Sequence, residues 1–431
     1  MLLFAAASLS FWAFPAPLLH RAAPRLLMQQ PHLSEHEEPA SPPREAPAPA
    51  IDPPQVEKVD KPTPIIVHES GSQCGRVLLI YTGGTLGMIK NGGAWLPHHE
   101  SGNLGRLIQL MPEFHDDKMP DMDMIEYAPL LDSSNIGPKD WCSLAGQIGV
   151  HYYDYDGFVV IHGTDTMAYT ASALSFMLEG LGKAVVLTGS IIPMREPFND
   201  ARRNLIASIM IASQLELSEV AIFFDNQLLR GNRAVKSDTH GLEGFTSPNF
   251  PPLALVGADG ITARDRRLWR PQPVCRLRVH TNLEVNTVVI RLTPGFDDSA
   301  INAMIQHAPN LRGLVLSLYG TGNGPSHKED FMRVVREAVR RDILVVAVTQ
   351  CLRGAVTLDT YEVGRRLLEI GVISAGDMTC EAVVTKISYL CGRGLKGEDL
   401  RNAMTTDLRG EVTTASAVQD NHVRLYRAER L

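Results

Sequence analysis

Two short segments set a threonine among glycines directly after an apolar run: Thr82-Gly83-Gly84-Thr85-Leu86-Gly87-Met88 follows RVLLIY, and His162-Gly163-Thr164-Asp165-Thr166 follows GFVVI. Glycine lets the main chain turn tightly and approach a ligand, and it leaves backbone N–H groups free to face an anion or a developing oxyanion. A threonine in such a place is a candidate nucleophile for acyl transfer, provided a base or a cation lies close enough to activate its hydroxyl. Lys236, in the segment RGNRAVK after the run AIFF, can supply that cation; on its own it would read as a solvated surface lysine. Asp165 has two readings, an N-cap for the helix that follows or a carboxylate that holds a substrate ammonium while Thr164 relays a proton. A dinucleotide loop fits TGGTLG less well, because the GxGxxG spacing is missing and no acidic residue ends a following second strand; a bare glycine turn is the other plain reading.

These residues need a scaffold that exposes strand ends, and an open parallel sheet binds ligands beyond the carboxyl ends of its strands. Short β-branched runs at 76–81, 157–161, 184–188 and 220–224 read as buried parallel strands. Between them, 167–181 and 201–215 carry apolar residues at helical spacing, so the order β-α-β-α-β predicts a doubly wound sheet. A proline- and arginine-rich stretch at 263–273 marks a domain junction. Beyond it, runs at 287–292, 313–318 and 343–348 alternate with helical segments at 328–341, 361–370 and 381–390, the first with Phe331, Val334, Val335 and Ala338 on one face. The expected fold class is α/β with two domains: a larger N-terminal domain on a doubly wound, mostly parallel sheet over 74–268, and a smaller C-terminal α/β domain over 285–420.

Composition narrows the partners. A chain of 431 residues, 44% hydrophobic, is long enough for two or three units at roughly 150 residues each. Its formal charge of −7, from 41 basic and 48 acidic residues without long runs of one sign, offers no footprint for nucleic acid. Cys74, Cys142, Cys275, Cys351, Cys380 and Cys391 form no CxxC pair and have no neighbouring histidines at ligand spacing, so they read as ordinary thiols, mostly buried, in a core made for a reducing compartment. Neither a metal nor a cofactor is called for.

Residues 1–28 contain no acid, and Arg21 and Arg25 follow an apolar stretch broken by Pro15 and Pro17, the pattern of a targeting segment toward an organelle (plastid or mitochondrion) or the secretory route. The stretch is short for a membrane span, and no span is expected in the mature chain. Thirteen of the 28 prolines lie in residues 1–70, so 29–73 is expected to be a disordered linker.

Taken together, the sequence resembles the type I, cytosolic-type branch of the bacterial-type asparaginase/glutaminase family from about residue 76 to 412. The matching segments are YTGGTLGM at 81–88, LMPEFH at 110–115, PLLDSS at 129–134, HGTDTMAYTASALSFMLE at 162–179, RGNRAVK at 230–236, SPNFPPL at 247–253 and LRGEVT at 408–413. The resemblance implies hydrolysis of L-asparagine to aspartate and ammonia by a homodimer or homotetramer whose sites are closed by a neighbouring C-terminal domain. It implies Thr85 as the nucleophile, Thr164 and Lys236 as the relay pair, and Asp165 as the acid that grips the substrate α-ammonium. Asp132 and Ser133 match the segment that holds the α-carboxylate and ammonium, and the N–H groups of Thr85 and Thr164 match the oxyanion hole.

The family often has a tyrosine where Trp95 stands, and indole donates but does not accept a proton; Trp95 packs in a lid, or His98 or His99 takes the polar task. Thr349-Gln350-Cys351 matches a segment near a regulatory asparagine site, yet Ser317 occupies the place of the expected arginine. Asn323 in GTGNGP reads as a turn residue, with a contribution across a subunit interface as the alternative. Two further alternatives stand beside asparagine hydrolysis: a glutaminase-asparaginase of broader specificity, because one methylene is worth only ~1–3 kcal/mol in a pocket, and a non-catalytic amino-acid sensor. A glutamyl-tRNA amidotransferase subunit would need an added folded N-terminal domain, and a lysophospholipase elbow GxSxG is missing.

Overall fold

The computed structural model describes residues 63–69, 74–96, 102–264, 268–269, 276–325 and 327–413. The targeting segment 1–28, most of the linker 29–73 and the stretch 414–420 lie outside the described residues.

Strands β1 (Ile65–His68), β2 (Arg76–Gly83), β3 (Asp121–Leu131), β4 (Gly157–Ile161), β5 (Ala184–Thr188), β6 (Val220–Phe224), β7 (Gln227–Arg230), β8 (Ala254–Gly257) and β9 (Gly260–Ala263) form one sheet, ordered β1-β3-β2-β4-β5-β6-β7-β8-β9. The five from β3 to β6 in that order run parallel; β1 and β7 to β9 extend the sheet antiparallel. Successive side chains of a strand face opposite ways, and both faces are covered here. Val77 and Leu79 pack with helices α1 (Asn103–Gln109) and α4 (Ala201–Gln214) through Leu104, Ile108, Leu205 and Ile209, while Leu78 and Ile80 pack with α2 (Pro138–His151) and α3 (Met167–Met177) through Trp141, Leu144, Met167 and Leu174. Each such side chain contributes about 1.5–3 kcal/mol on burial.

The C-terminal domain repeats the scheme with strands β10 (Thr287–Arg291), β11 (Gly313–Leu318), β12 (Leu344–Thr349) and β13 (Ile373–Ser374), all parallel and in sequential order. Helices α5 (Asp298–His307), α6 (Glu329–Arg340) and α7 (Glu362–Ile370) cover one face; α8 (Cys380–Gly392) and α9 (Gly397–Thr405) cover the other. Helix α8 also packs on α3, with Phe176 and Tyr389 stacked at 5.9 Å between ring centroids. The expected two-domain α/β class is the observed one. No described helix is long and apolar enough to cross a membrane.

Two local expectations change. β1 falls inside the stretch expected to be linker, because Val67 and His68 are buried where the strand pairs with Met122–Met124 of β3, a long-range contact that a four-residue run directly after a proline does not announce. The helix expected over 167–181 stops at Met177, since Leu178–Glu179 pairs instead with Arg278–Val279. Neither β3 nor α2 was anticipated.

A fully buried ion pair ties α8 to the segment after α9. Lys386 Nζ reaches Glu411 Oε1 at 2.5 Å and donates to Met404 O at 3.0 Å, with both side chains at 0% exposure. Removing one partner leaves the other as an uncompensated buried charge, typically about 3–5 kcal/mol. Lys386→Met is therefore expected to lower the urea midpoint by an amount equivalent to about 3–5 kcal/mol; a midpoint within error of wild type would show that the pair contributes little.

Candidate active site

Strand β2 delivers Gly83 and Gly84 in the left-handed region, at φ +135° and +95°, where a side chain would be strained. Space forbids one as well. A Cβ on Gly84 would lie 2.5 Å from the Cα and N of Gly163, and a Cβ on Gly163 would lie 2.5 Å from Ser133 Oγ. Gly84 after β2 thus meets Gly163 after β4 backbone to backbone, Gly163 meets the side chain of Ser133 after β3, and the threonines that follow the two glycines are carried on touching loops.

Thr85 opens the 3₁₀ turn Thr85–Gly87 and is half-buried, with no partner for its hydroxyl among the described residues. Thr164 is 8% exposed, and its Oγ1 accepts from Lys236 Nζ at 2.9 Å. The same Nζ donates to Asp165 Oδ1 at 2.5 Å. An ammonium that donates to a hydroxyl oxygen favours the alkoxide over the alcohol, so this contact readies Thr164 to give up or pass on a proton.

Asp165 is not an N-cap. The N-cap position of α3 is Thr166, whose hydroxyl donates to Ser133 O at 2.7 Å, and the Asp165 side chain, 64% exposed, turns to Lys236 instead. Ser133 is buried; Asp132 is exposed and accepts from Ser134 N at 3.0 Å, which shapes the turn Ser133–Asn135. Five of the expected residues, Ser133, Asp132, Thr164, Asp165 and Lys236, are thereby connected through Thr166 and the Gly163–Ser133 contact, with Thr85 joined through Gly84.

Sequence reasoning missed a buried chain behind this loop. Trp141 Nε1 can only donate, and it does so to Thr170 Oγ1 at 3.0 Å; Thr170 then donates to His162 Nε2 at 2.9 Å, so Nδ1 carries the proton given to Gly163 O at 2.7 Å. That carbonyl and the Thr164 N–H share one peptide plane. Burial lowers the His162 pKa to about 4, so the ring is neutral. The hydroxyl of Ser190, beyond the end of β5, is buried with no partner among the described residues, and the strand-end rule applied to Thr188-Gly189-Ser190 would have found it.

Trp95 lies in the hairpin of Ile89–Asn91 and Ala94–Leu96, 39% exposed, with Lys90 Nζ 5.5 Å from its ring centre, a packing and cation–π contact. His98 and His99 lie outside the described residues. At the other motif, Gln350 Nε2 donates to Leu292 O at 2.7 Å and Ser317 O at 2.8 Å, Cys351 is exposed, and Ser317 is buried in β11. Asn323 closes a tight turn with Tyr319. A cavity of about 510 Å³ lined by Leu178, Ser218, Glu219, Arg230 and Trp269 opens at the amino end of β6 and contains none of these groups.

Residues 76–268 match the family model described as Asparaginase, N-terminal, and residues 286–404 the model described as Glutaminase/Asparaginase C-terminal domain. The chain belongs to the asparaginase family. It is 44% identical over 340 residues to L-asparaginase 1 of Escherichia coli (strain K12), covering 78% of this chain and 98% of that protein. The crystal structure of L-asparaginase I from Vibrio cholerae O1 biovar eltor matches with a TM-score of 0.74 at 39% identity, covering 79% of this chain and 99% of that one. A Homo sapiens protein named 60 kDa lysophospholipase is 41% identical over 363 residues, 79% of this chain and 62% of that protein. The type I resemblance read from the motifs is thus borne out, and both asparaginase domains are present on this chain.

Two measurements probe the asparaginase loops. Gly84→Ala is expected to lower kcat/KM by about 10²-fold, the cost of misplacing a reacting group by an ångström; wild-type kinetics would mean that the glycine contact does not set the site. His162 binds a proton in the unfolded chain near pH 6.5 but in the folded chain only near pH 4. Its contribution to stability is therefore present above pH 6.5 and is lost as pH falls toward 4. Unfolding free energies across that window are expected to fall less steeply for His162→Asn than for wild type, and parallel curves would contradict the neutral, buried histidine.

Proposed function

We propose that this chain hydrolyses L-asparagine to L-aspartate and ammonia, with Thr85 as the nucleophile. The observation that supports the reading best is Lys236 Nζ, which contacts both Thr164 Oγ1 at 2.9 Å and Asp165 Oδ1 at 2.5 Å on the loop that touches the Thr85 loop. An amine, a relay hydroxyl and a carboxylate beside an unpartnered second hydroxyl are the parts that amide hydrolysis at neutral pH needs.

Thr85 Oγ attacks the side-chain carbonyl carbon, and its proton passes to the amide nitrogen. The C–N bond breaks, ammonia leaves, and a β-aspartyl ester on Thr85 remains. Water then adds to the ester, its proton passing through the Thr164 hydroxyl to the departing Thr85 Oγ while the Lys236 ammonium stabilises the negative charge that develops on Thr164, and cleavage of the C–Oγ bond restores Thr85. Backbone N–H groups of Thr85 and Thr164 take the oxyanion in both steps; one such donor is typically worth about 10²–10³ in kcat. Asp165 receives the substrate α-ammonium, with Asp132 and Ser133 completing the contacts to the α-ammonium and α-carboxylate. No cofactor enters the reaction.

The same reading carries a homodimer or homotetramer, supported by the motif resemblance, and routing to a plastid, a mitochondrion or the secretory route, supported by residues 1–28.

Thr85→Ala is expected to reduce ammonia release from L-asparagine by roughly 10³-fold or more, while calorimetry still detects L-aspartate binding. Undiminished turnover would remove Thr85 from the mechanism. A wild-type chain that binds aspartate but releases no ammonia from asparagine or glutamine would instead be an amino-acid sensor.

A further inference from the structure

The turn that aims Lys236 is gripped from the other domain. Gly231–Arg233 is a buried 3₁₀ turn directly after β7, and Val235–Lys236 then pairs with Phe245–Thr246 over only two residues. Asn232 Nδ2 donates across the domain boundary to Arg409 O at 2.9 Å. Arg233, at 2% exposure, pairs with Asp377 Oδ1 at 2.9 Å, donates to Glu411 O at 2.9 Å and donates to Thr413 Oγ1 at 2.5 Å. Thr413 closes the ring, its N–H on Asp377 Oδ1 at 2.8 Å and its hydroxyl on Oδ2 at 2.5 Å. Burial alone would raise the Asp377 carboxyl, yet donation from Arg233 and Thr413 holds it below the usual range.

The receiving segment is itself fixed. Glu411 sends its carboxylate inward to Lys386 and to the N–H groups of Leu408 and Arg409, so the carbonyl offered to Arg233 sits on a rigid base. Burying a guanidinium is costly, and an apolar contact would join two domains as well or better. What a planar fork adds is direction: it fixes angle as well as distance. Three residues further along, direction matters, because a misplacement of about 1 Å at a reacting group costs about 10²-fold.

We propose that Arg233 is a positioning residue, which, held by Asp377, Thr413 and Glu411 O, aims Lys236 at Thr164, so that the C-terminal domain sets the geometry of the amine at the relay hydroxyl. This rests on Thr164 and Lys236 acting in asparagine hydrolysis.

The full-length chain carrying Thr413→Val or Asp377→Asn tests it, each a near-isosteric change that leaves Arg233 in place. Both are expected to fold with wild-type circular dichroism, to lower kcat for asparagine by about 10-fold or more with KM changed by less than about threefold, and to shift the pH profile of kcat. In a Lys236→Met background the same changes are expected to cost no further kcat, because the amine they aim is gone. Equal losses in both backgrounds would overturn the proposal. A crystal structure of Thr413→Val supplies a reading independent of turnover: Lys236 Nζ is expected to leave Thr164 Oγ1 by more than about 3.5 Å, and an unmoved amine would overturn the proposal. A wild-type chain without asparagine turnover would sink the functional reading itself, and the crystallographic distance would still decide whether the clamp aims the lysine.

Discussion

The site depends on two close approaches that leave no room for a side chain on either glycine. Gly84 lies against Gly163, and Gly163 against Ser133, at separations that a single methyl group would close to 2.5 Å. Three parallel strands deliver these loops to one edge of the sheet, and glycine alone lets them touch. Once they touch, the residues that follow, Thr85 and Thr164, have little freedom in where they stand. In the proposed mechanism the backbone N–H groups of these two residues take the developing oxyanion.

Around that contact the protein spends buried polar groups freely. His162, Thr170 and Trp141 hold the peptide between Gly163 and Thr164 from behind, and Thr166 ties the same loop to Ser133. From the far side, Arg233 and Asn232 bind the turn before Lys236 to the segment 409–413, which Glu411 and Lys386 lock in the core of the C-terminal domain. The two domains therefore meet the site differently: the N-terminal domain presents the hydroxyls, and the C-terminal domain braces the loop that brings the amine.

Much of this could be read from the chain alone, and for a physical reason. Buried parallel strands are nearly all apolar, so RVLLIY, GFVVI and AVVLT are visible as runs, and a ligand-binding sheet places its chemistry just after them. The strand Asp121–Leu131 escaped notice because DMDMIE alternates acids with methionine; Asp123 is buried there only because Arg76 and Tyr155 meet it. Helix Pro138–His151 was hidden by its glycines and polar residues. Asp165 was open to an N-cap reading that Thr166 pre-empts by reaching Ser133, 33 residues earlier. Buried Arg233, Lys386 and Glu411 would each be assigned to a solvated surface from sequence, since their partners come from far along the chain. What stayed illegible was pairing across long separations, which no local pattern encodes.

In the proposed mechanism the hydroxyls of Thr85 and Thr164 converge on one substrate carbon. A crystal structure of the protein with L-aspartate bound tests this most directly. The side-chain carboxyl of the ligand is expected between the two hydroxyls, each within about 3.5 Å, with Lys236 still on Thr164 and the ligand ammonium on Asp165. Aspartate bound elsewhere, or the two hydroxyls opening into separate cavities, would contradict it.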